Sequence, residues 1–177
     1  VRSEDGQPVS ESTLQDVREL RSALGLFATG VTIVTATGPD GVRVGVTANA
    51  FTSVSLQPPL VLVGLSRKLR SLPDFEASDH FAVHVLAEDH GPLAWRFAAT
   101  GGDKWEGVEY LWGENGSPTF ADMAAVFECR KYAVHAAGDH DLYIGEVLRF
   151  SMDPARRPLI FHGGRMTGLA AAADEIG

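Results

Sequence analysis

The chain has 177 residues, of which 45% are hydrophobic and 21% charged, and its formal net charge is −8. This composition is close to the globular average and excludes a disordered or fibrous chain, while the length fits one domain with a core of its own. The acidic balance excludes broad electrostatic capture of nucleic acid or of an anionic membrane, so an anionic ligand has to meet a local basic cluster.

Residues 1–12 carry Gly, Pro, Ser and acidic side chains without periodicity and read as a mobile arm, too polar for a signal peptide. Ser12 and Gln15 have capping-box spacing, and Asp16 complements the helix dipole. Leu14, Val17, Leu20, Leu24 and Phe27 then recur at helical spacing, which predicts a helix from about Thr13 to Ala28, ended by Gly30. The β-branched run VTIVTAT, the turn chemistry of Gly38–Gly41 and the alternating VRVGVTANAF predict a hairpin. LVLVGLS (Leu60–Ser66) and HFAVHVLA (His80–Ala87) read as strands joined by a short helix that Pro73 interrupts. HGPLAWRFAA is helical in character, whereas MAAVFECRKYAVHA, DLYIGEVLRFSM and PLIFH are strands. The Ala-rich stretch Met166–Ile176 predicts a short helix or a frayed tail, so that 13–170 forms one domain and 171–177 a tail. Many short strands, frequent turns and few helices favour a mainly β, antiparallel barrel over a doubly wound parallel sheet. The single cysteine, Cys129, lies in an apolar stretch and is expected as a buried, inert thiol. With no apolar run near the ~18 residues of a membrane span, the expectation is a soluble, cytoplasmic protein.

Several chemistries lack their signatures. There is no GxGxxG after a strand, no GxxxxGK[ST] and no G-x-S-x-G elbow. His80 and His84 are four apart, but in a strand-like setting and without the glutamate of HExxH, so no metal site is expected. Two blocks remain informative. GVTANAFTSVSLQPPL (Gly45–Leu60) is a strand ending in a dense set of small polar residues, Thr47, Asn49, Thr52, Ser53 and Ser55. Such a segment lets a planar polar ligand approach the main chain, whose N–H and C=O groups can meet a pyrimidine edge; a polar loop with side-chain turns accounts for it equally well. SRKLRS (Ser66–Ser71) crowds Arg67, Lys68 and Arg70 between hydroxyls directly after a strand. It suits a phosphate, with Ser71 capping the following turn, or else is a solvated basic turn.

FATGVTIVTA (Phe27–Ala36), the Gly45–Ser71 region, DKWEGVEY (Asp103–Tyr110) and AGDHDLYIGEV (Ala137–Val147) occur in an order that resembles the flavin reductase family serving two-component flavin-dependent monooxygenases. The resemblance spans roughly Leu20–Leu169 and implies a split β-barrel homodimer with flavin in a groove near the subunit interface. It implies that Thr47, Ala48, Asn49 and Ala50 lie along the isoalloxazine and ribityl chain with Ser53 nearby, and that Ser66, Arg67 and Ser71 face the phosphate. Gly30 and Val31 would line the ring pocket, and Lys104 with Trp105 would close it. His140 resembles the histidine beside the nicotinamide, and His162 and Arg165 of FHGGR match the C-terminal strand and turn, with Arg165 within reach of a nucleotide phosphate. Ala50 and Trp105 depart from the family pattern, which commonly has serine and another aromatic there. The implied activity is NADH-dependent reduction of FAD, with FMN the alternative, by hydride transfer from nicotinamide C4 to flavin N5. Reduced flavin would then diffuse to a partner monooxygenase. A non-catalytic flavin carrier and a pyridoxamine phosphate oxidase-like enzyme are the competing readings.

Overall fold

The structure, a computed structural model, describes residues 14–169. Helix α1 (Leu14–Leu24) leads into β1 (Thr29–Gly30), β2 (Thr32–Thr37), β3 (Arg43–Ala48), β4 (Phe51–Leu56) and β5 (Pro59–Ser66). Helix α2 (Leu72–Ala77), β6 (His80–Val85) and α3 (Gly91–Ala98) follow, then the short pair β7 (Leu111–Trp112) and β8 (Pro118–Thr119). The long strands β9 (Ala125–Ala137) and β10 (His140–Met152) and the hairpin β11 (Leu159–His162) and β12 (Arg165–Gly168) complete the chain.

Seven strands form one antiparallel sheet in the order β3-β2-β6-β9-β10-β5-β4. Its two edges, β3 and β4, are consecutive in sequence and are joined only by Asn49 and Ala50. Two residues span at most about 7 Å. A flat sheet would hold its edge strands several times farther apart at about 4.8 Å per strand, so the sheet must curl until its edges meet at that end. The result is a split barrel whose seam lies at Asn49–Ala50. There the Ala50 carbonyl accepts the N–H of Gly64 at 2.8 Å, which ties the crossing to β5.

Strand β2 explains why its sequence is so β-branched. Thr32 to Ala36 are all buried, because Val34 and Ala36 enter the barrel core with Val63, Leu65, Phe81 and Tyr143. The other face sends Ile33 into a second cluster with Phe97, Trp105, Phe120 and Leu159. A strand covered on both faces reads as a continuous apolar run. Its three hydroxyls are bonded, Thr32 Oγ1 to the Ala48 carbonyl and Thr35 Oγ1 to the Pro118 carbonyl, each at 2.6 Å, and Thr37 Oγ1 to the Gly116 carbonyl at 2.7 Å. The turn after β2 puts Asp40 and Gly41 at positive φ (59° and 76°), the conformation for which Asp-Gly is the usual hairpin choice.

Five sequence expectations need correction. Helix α1 stops at Leu24 rather than Ala28, because the Gly25 carbonyl turns away to accept the N–H of Gly163 at 2.8 Å. Pro73 does not interrupt the second helix; it occupies the first turn of α2, where its missing N–H costs nothing. Ser71 precedes α2 without a side-chain cap, and its carbonyl accepts the N–H groups of Asp74 and Phe75. The Gly45–Leu60 block is two strands rather than one, broken at the seam. Residues from Arg165 to Gly168 form a strand, since Gly163 and Gly164 at φ 56° and 77° fold them back onto β11. The Ser12–Gln15 capping box and the Ala-rich tail beyond 169 lie outside the described residues.

Candidate active site at the barrel seam

The seam is where the barrel is least able to fill itself, and three adjoining clefts run along it. The middle one, about 140 Å³, is lined by Val46 to Ala50 from β3 and the crossing, Gly64 to Ser66 from β5, Leu69, and His140 at the start of β10. Leu69 is shared with a cleft of about 490 Å³ whose wall includes Arg43, Lys68, Arg70, Ser71, Lys104 and Trp105. Asn49 is shared with a third, of about 640 Å³, between α1 and the β11–β12 turn, reaching Thr29, Phe161, Gly163 and Gly164.

Each side chain reaches the seam for a local reason. Thr47 sits half-buried on β3 and donates its Oγ1 proton to the Ala94 carbonyl at 2.6 Å, which fixes β3 against α3. Asn49 and Ala50 are exposed, and their main-chain N–H groups have no main-chain partner among the described residues. Gly64 floors the cleft because a Cβ there would stand 3.1 Å from the Ala50 Cβ. Ser66 ends β5 opposite His140 in the β5–β10 register, and its Oγ accepts the N–H of Lys68 at 3.3 Å. His140 Nδ1 lies 2.7 Å from Asp139 Oδ1, and the imidazole beside it holds that carboxyl below the usual carboxylate range.

The cationic side is divided. Arg67 directs Nε and Nη2 at Asp141 Oδ1, at 2.9 and 2.7 Å, which raises its pKa further. Arg43 lies over the rings of Trp105 and Tyr110, 5.5 and 4.7 Å from their centroids. Lys104 donates to the carbonyls of Phe97 and Gly45, and burial lowers its pKa. Trp105 is a core residue as much as a wall: it packs edge-on against Phe97 at 5.0 Å and stacks on Phe120 at 5.7 Å.

The residues singled out from sequence therefore separate. Thr47, Ala48, Asn49, Ala50, Ser66 and His140 line one cleft, and Ser71, Lys104 and Trp105 line the next. Ser53 lies farther along β4, paired with Val61 and exposed. Gly30 pairs with Ile160 across β1 and β11, and Val31 is buried in the second core cluster, so neither lines these clefts. His162 and Arg165 flank the glycine turn that borders the third cleft. Sequence reasoning missed Gly64 and Arg43. Only the close approach of β5 to the crossing, and of Arg43 to two rings distant in sequence, discloses them.

These features suit a flat, anionic heteroaromatic ligand: free main-chain donors at the crossing, an amide from Asn49, glycine-floored space, and cations from one side. They belong to a split barrel with an open, partly cationic cleft at its seam. The flavin reductase like domain model matches residues 24–170. An FMN reductase (NADH), SmoA, of Agrobacterium fabrum is 43% identical over 150 residues, covering 85% of this chain and 84% of that protein. The monooxygenase reductase subunit HsaB of Rhodococcus jostii is 39% identical over 165 residues, covering 93% and 83%. Among solved structures, the Streptomyces globisporus NADH:FAD oxidoreductase SgcE6, in complex with NAD and FAD fragments, superposes with a TM-score of 0.85 at 37% identity, covering 94% of this chain and 100% of that one. The chain belongs to the flavin reductase family and is by class an NAD(P)H:flavin oxidoreductase.

Proposed function

We propose that this chain uses NADH to reduce FAD or FMN and releases the reduced flavin to a flavin-dependent monooxygenase. The observation that carries the reading is the convergence of Thr47–Ala50, Ser66 and His140 on one seam cleft from three separate parts of the chain. Relatives named as monooxygenase reductase subunits support the destination of the product.

Flavin, when bound, would supply the acceptor for the hydride of reduced nicotinamide. The chain supplies position and charge. The N–H groups of Asn49 and Ala50 would face the pyrimidine edge and offset the negative charge that accumulates there, as preorganised donors do in an oxyanion hole. Ser66 and Ser71, with Lys68 and Arg70 of the same segment, would hold the phosphate. His140, with Asp139 fixing one ring nitrogen, would hold the nicotinamide face-on to the flavin and need not move a proton itself.

A homodimer accounts for what the single chain leaves uncovered. Leu20 and Leu24 on α1, Leu56 at 93% exposure on β4, and Phe150 and Met152 on β10 all face outward. A second copy would cover such outward apolar side chains. The lone cysteine is buried, and burial pushes its thiol up to about 12, so it is unreactive. No helix among the described residues is long and apolar enough to cross a membrane. Both observations are compatible with the cytoplasm.

Steady-state oxidation of NADH and NADPH, with FAD, FMN and riboflavin added separately, tests the reading. Flavin-dependent consumption of NADH is expected. Flavin uptake without NADH oxidation would leave the carrier reading, and oxygen-dependent oxidation of a bound amine would favour the oxidase reading.

A further inference from the structure

We infer that Arg67 and Asp141 form a strut that positions His140, and that Arg67 is not a ligand of the flavin phosphate; the inference rests on the functional reading just given. In sequence Arg67 is one of three cations in a basic turn and the nearest to the strand. In the structure it is the one of the three already spent. Nε and Nη2 converge on a single oxygen of Asp141 at 2.9 and 2.7 Å, and the Arg67 main-chain N–H donates to the Asp139 carbonyl at 3.0 Å. One residue therefore grips the chain immediately before and immediately after His140.

The two ends of this grip differ in exposure. The Arg67 side chain is 46% exposed but that of Asp141 only 11%. An incoming phosphate that captured the guanidinium would leave a nearly buried carboxylate without its counter-charge, the arrangement that costs most when an ion pair is broken. Lys68 and Arg70 carry no such commitment, since among the described residues neither has a carboxylate within salt-bridge distance, and both line the larger cleft. The phosphate charge falls to them.

The backbone of His140 is paired with Ser66 and Ala137, but its ring is weakly held and depends on the strut. Its ring is 44% exposed and its one side-chain partner, Asp139, is more exposed still. The β5–β10 ladder ends at the pair Ser66–His140. Beyond that pair the Arg67 N–H bond to the Asp139 carbonyl continues the connection into the turn, and the Arg67–Asp141 pair ties down the last rungs of the ladder. Displacement of a positioning group by about 1 Å is enough to cost a large factor in the step it serves.

The test compares Arg67→Gln, Asp141→Asn and the double variant in the full chain. Amide hydrogen exchange of the flavin-free protein reads the strut directly. Each single variant should speed exchange of the Arg67 amide by about tenfold or more, as local opening there becomes easier. With flavin and NADH present, each single variant should raise the KM for NADH about five- to tenfold with the FMN Kd within about twofold. The double should be no worse than either single, because the partners act as one unit. The proposal is overturned if Arg67→Gln weakens FMN binding about tenfold while Asp141→Asn leaves it unchanged, or if the two KM effects multiply. Should Asp141→Asn not fold, Arg67→Lys decides: it keeps a charge for phosphate but loses the two-nitrogen grip, so the strut requires the same rise in KM and a phosphate contact requires none. A wild-type chain that consumes no NADH sinks the functional reading alone, while the exchange measurement still tests the strut.

Discussion

Replacing Gly45 by alanine tests whether the packing between β3 and α3 shapes the candidate site. A Cβ at this position would stand 2.5 Å from Phe97 Cε1, 2.7 Å from Cδ1 and 3.3 Å from Trp105 Cζ2. Phe97 cannot swing aside, because it is fully buried between Trp105 at 5.0 Å and Phe120 at 5.5 Å. Overpacking of this kind costs about 1–3 kcal/mol. Alanine recovers about 0.5–1 kcal/mol through the unfolded chain, leaving a net loss of about 1–2 kcal/mol. At roughly 2–4 °C per kcal/mol for a chain of this size, scanning calorimetry should find Tm lowered by about 2–8 °C. Lys104 bonds the carbonyls of both Gly45 and Phe97, at 3.4 and 2.8 Å, so the cleft wall should shift with the ring and FMN affinity should fall alongside stability. Gly91→Ala is the comparison: it opens α3 with no atom within 4 Å of its Cβ and should leave Tm unchanged or slightly higher. If Gly45→Ala melts at or above the wild-type temperature, the close packing described here does not constrain the site.

His84 gives a pH signature. Its ring is buried against Phe120, Nδ1 donates to the Ile33 carbonyl at 2.9 Å, and burial pulls its pKa down from 6.5 to about 4. The unfolded chain takes up a proton below pH 6.5 that the folded ring refuses until about 4, so stability is complete above 6.5 and declines through that window by roughly 3 kcal/mol. His84→Leu should flatten this part of the curve in urea titrations at pH 7 and pH 5, and an unaltered slope would show that the acid sensitivity arises elsewhere. His140→Ala should raise the KM for NADH far more than the FMN Kd; unchanged KM and kcat would remove His140 from the site. Lys104→Met removes a half-buried charge and two bonds from the cleft wall, and FMN affinity should fall about three- to tenfold with a weaker dependence on salt. Equal affinity and equal salt dependence would show that Lys104 only braces the loop.

What was legible in the sequence was the part governed by local rules. The β-branched run of β2 and the Asp-Gly turn after it rest on conformational preferences of a few neighbouring residues, and both appear where the pattern puts them. Errors cluster where a distant partner decides. Nothing in the spacing of Leu24 and Phe27 reports that the Gly25 carbonyl will bond Gly163, so periodicity carried α1 one turn too far. The Gly163–Gly164 pair is a two-residue hairpin signal in its own right. It was outweighed by the helix-forming composition of the Ala-rich stretch that follows.

The site divides along the same line. Thr47 to Ala50 could be picked out as polar and small, but their proximity to His140 depends on the curl of the sheet, which only the strand order β3-β2-β6-β9-β10-β5-β4 discloses. Charge was the least legible property of all. Arg67, Lys68 and Arg70 are chemically alike in the sequence and stand within four positions of one another, yet the fold spends the first on Asp141, 74 residues away, and leaves the other two facing the cleft. A basic cluster read from sequence counts cations. What can bind an anion is the number left after the fold has paired its own carboxylates, and at this seam the difference lies in whether one arginine holds a ligand or holds the histidine proposed to meet the second substrate.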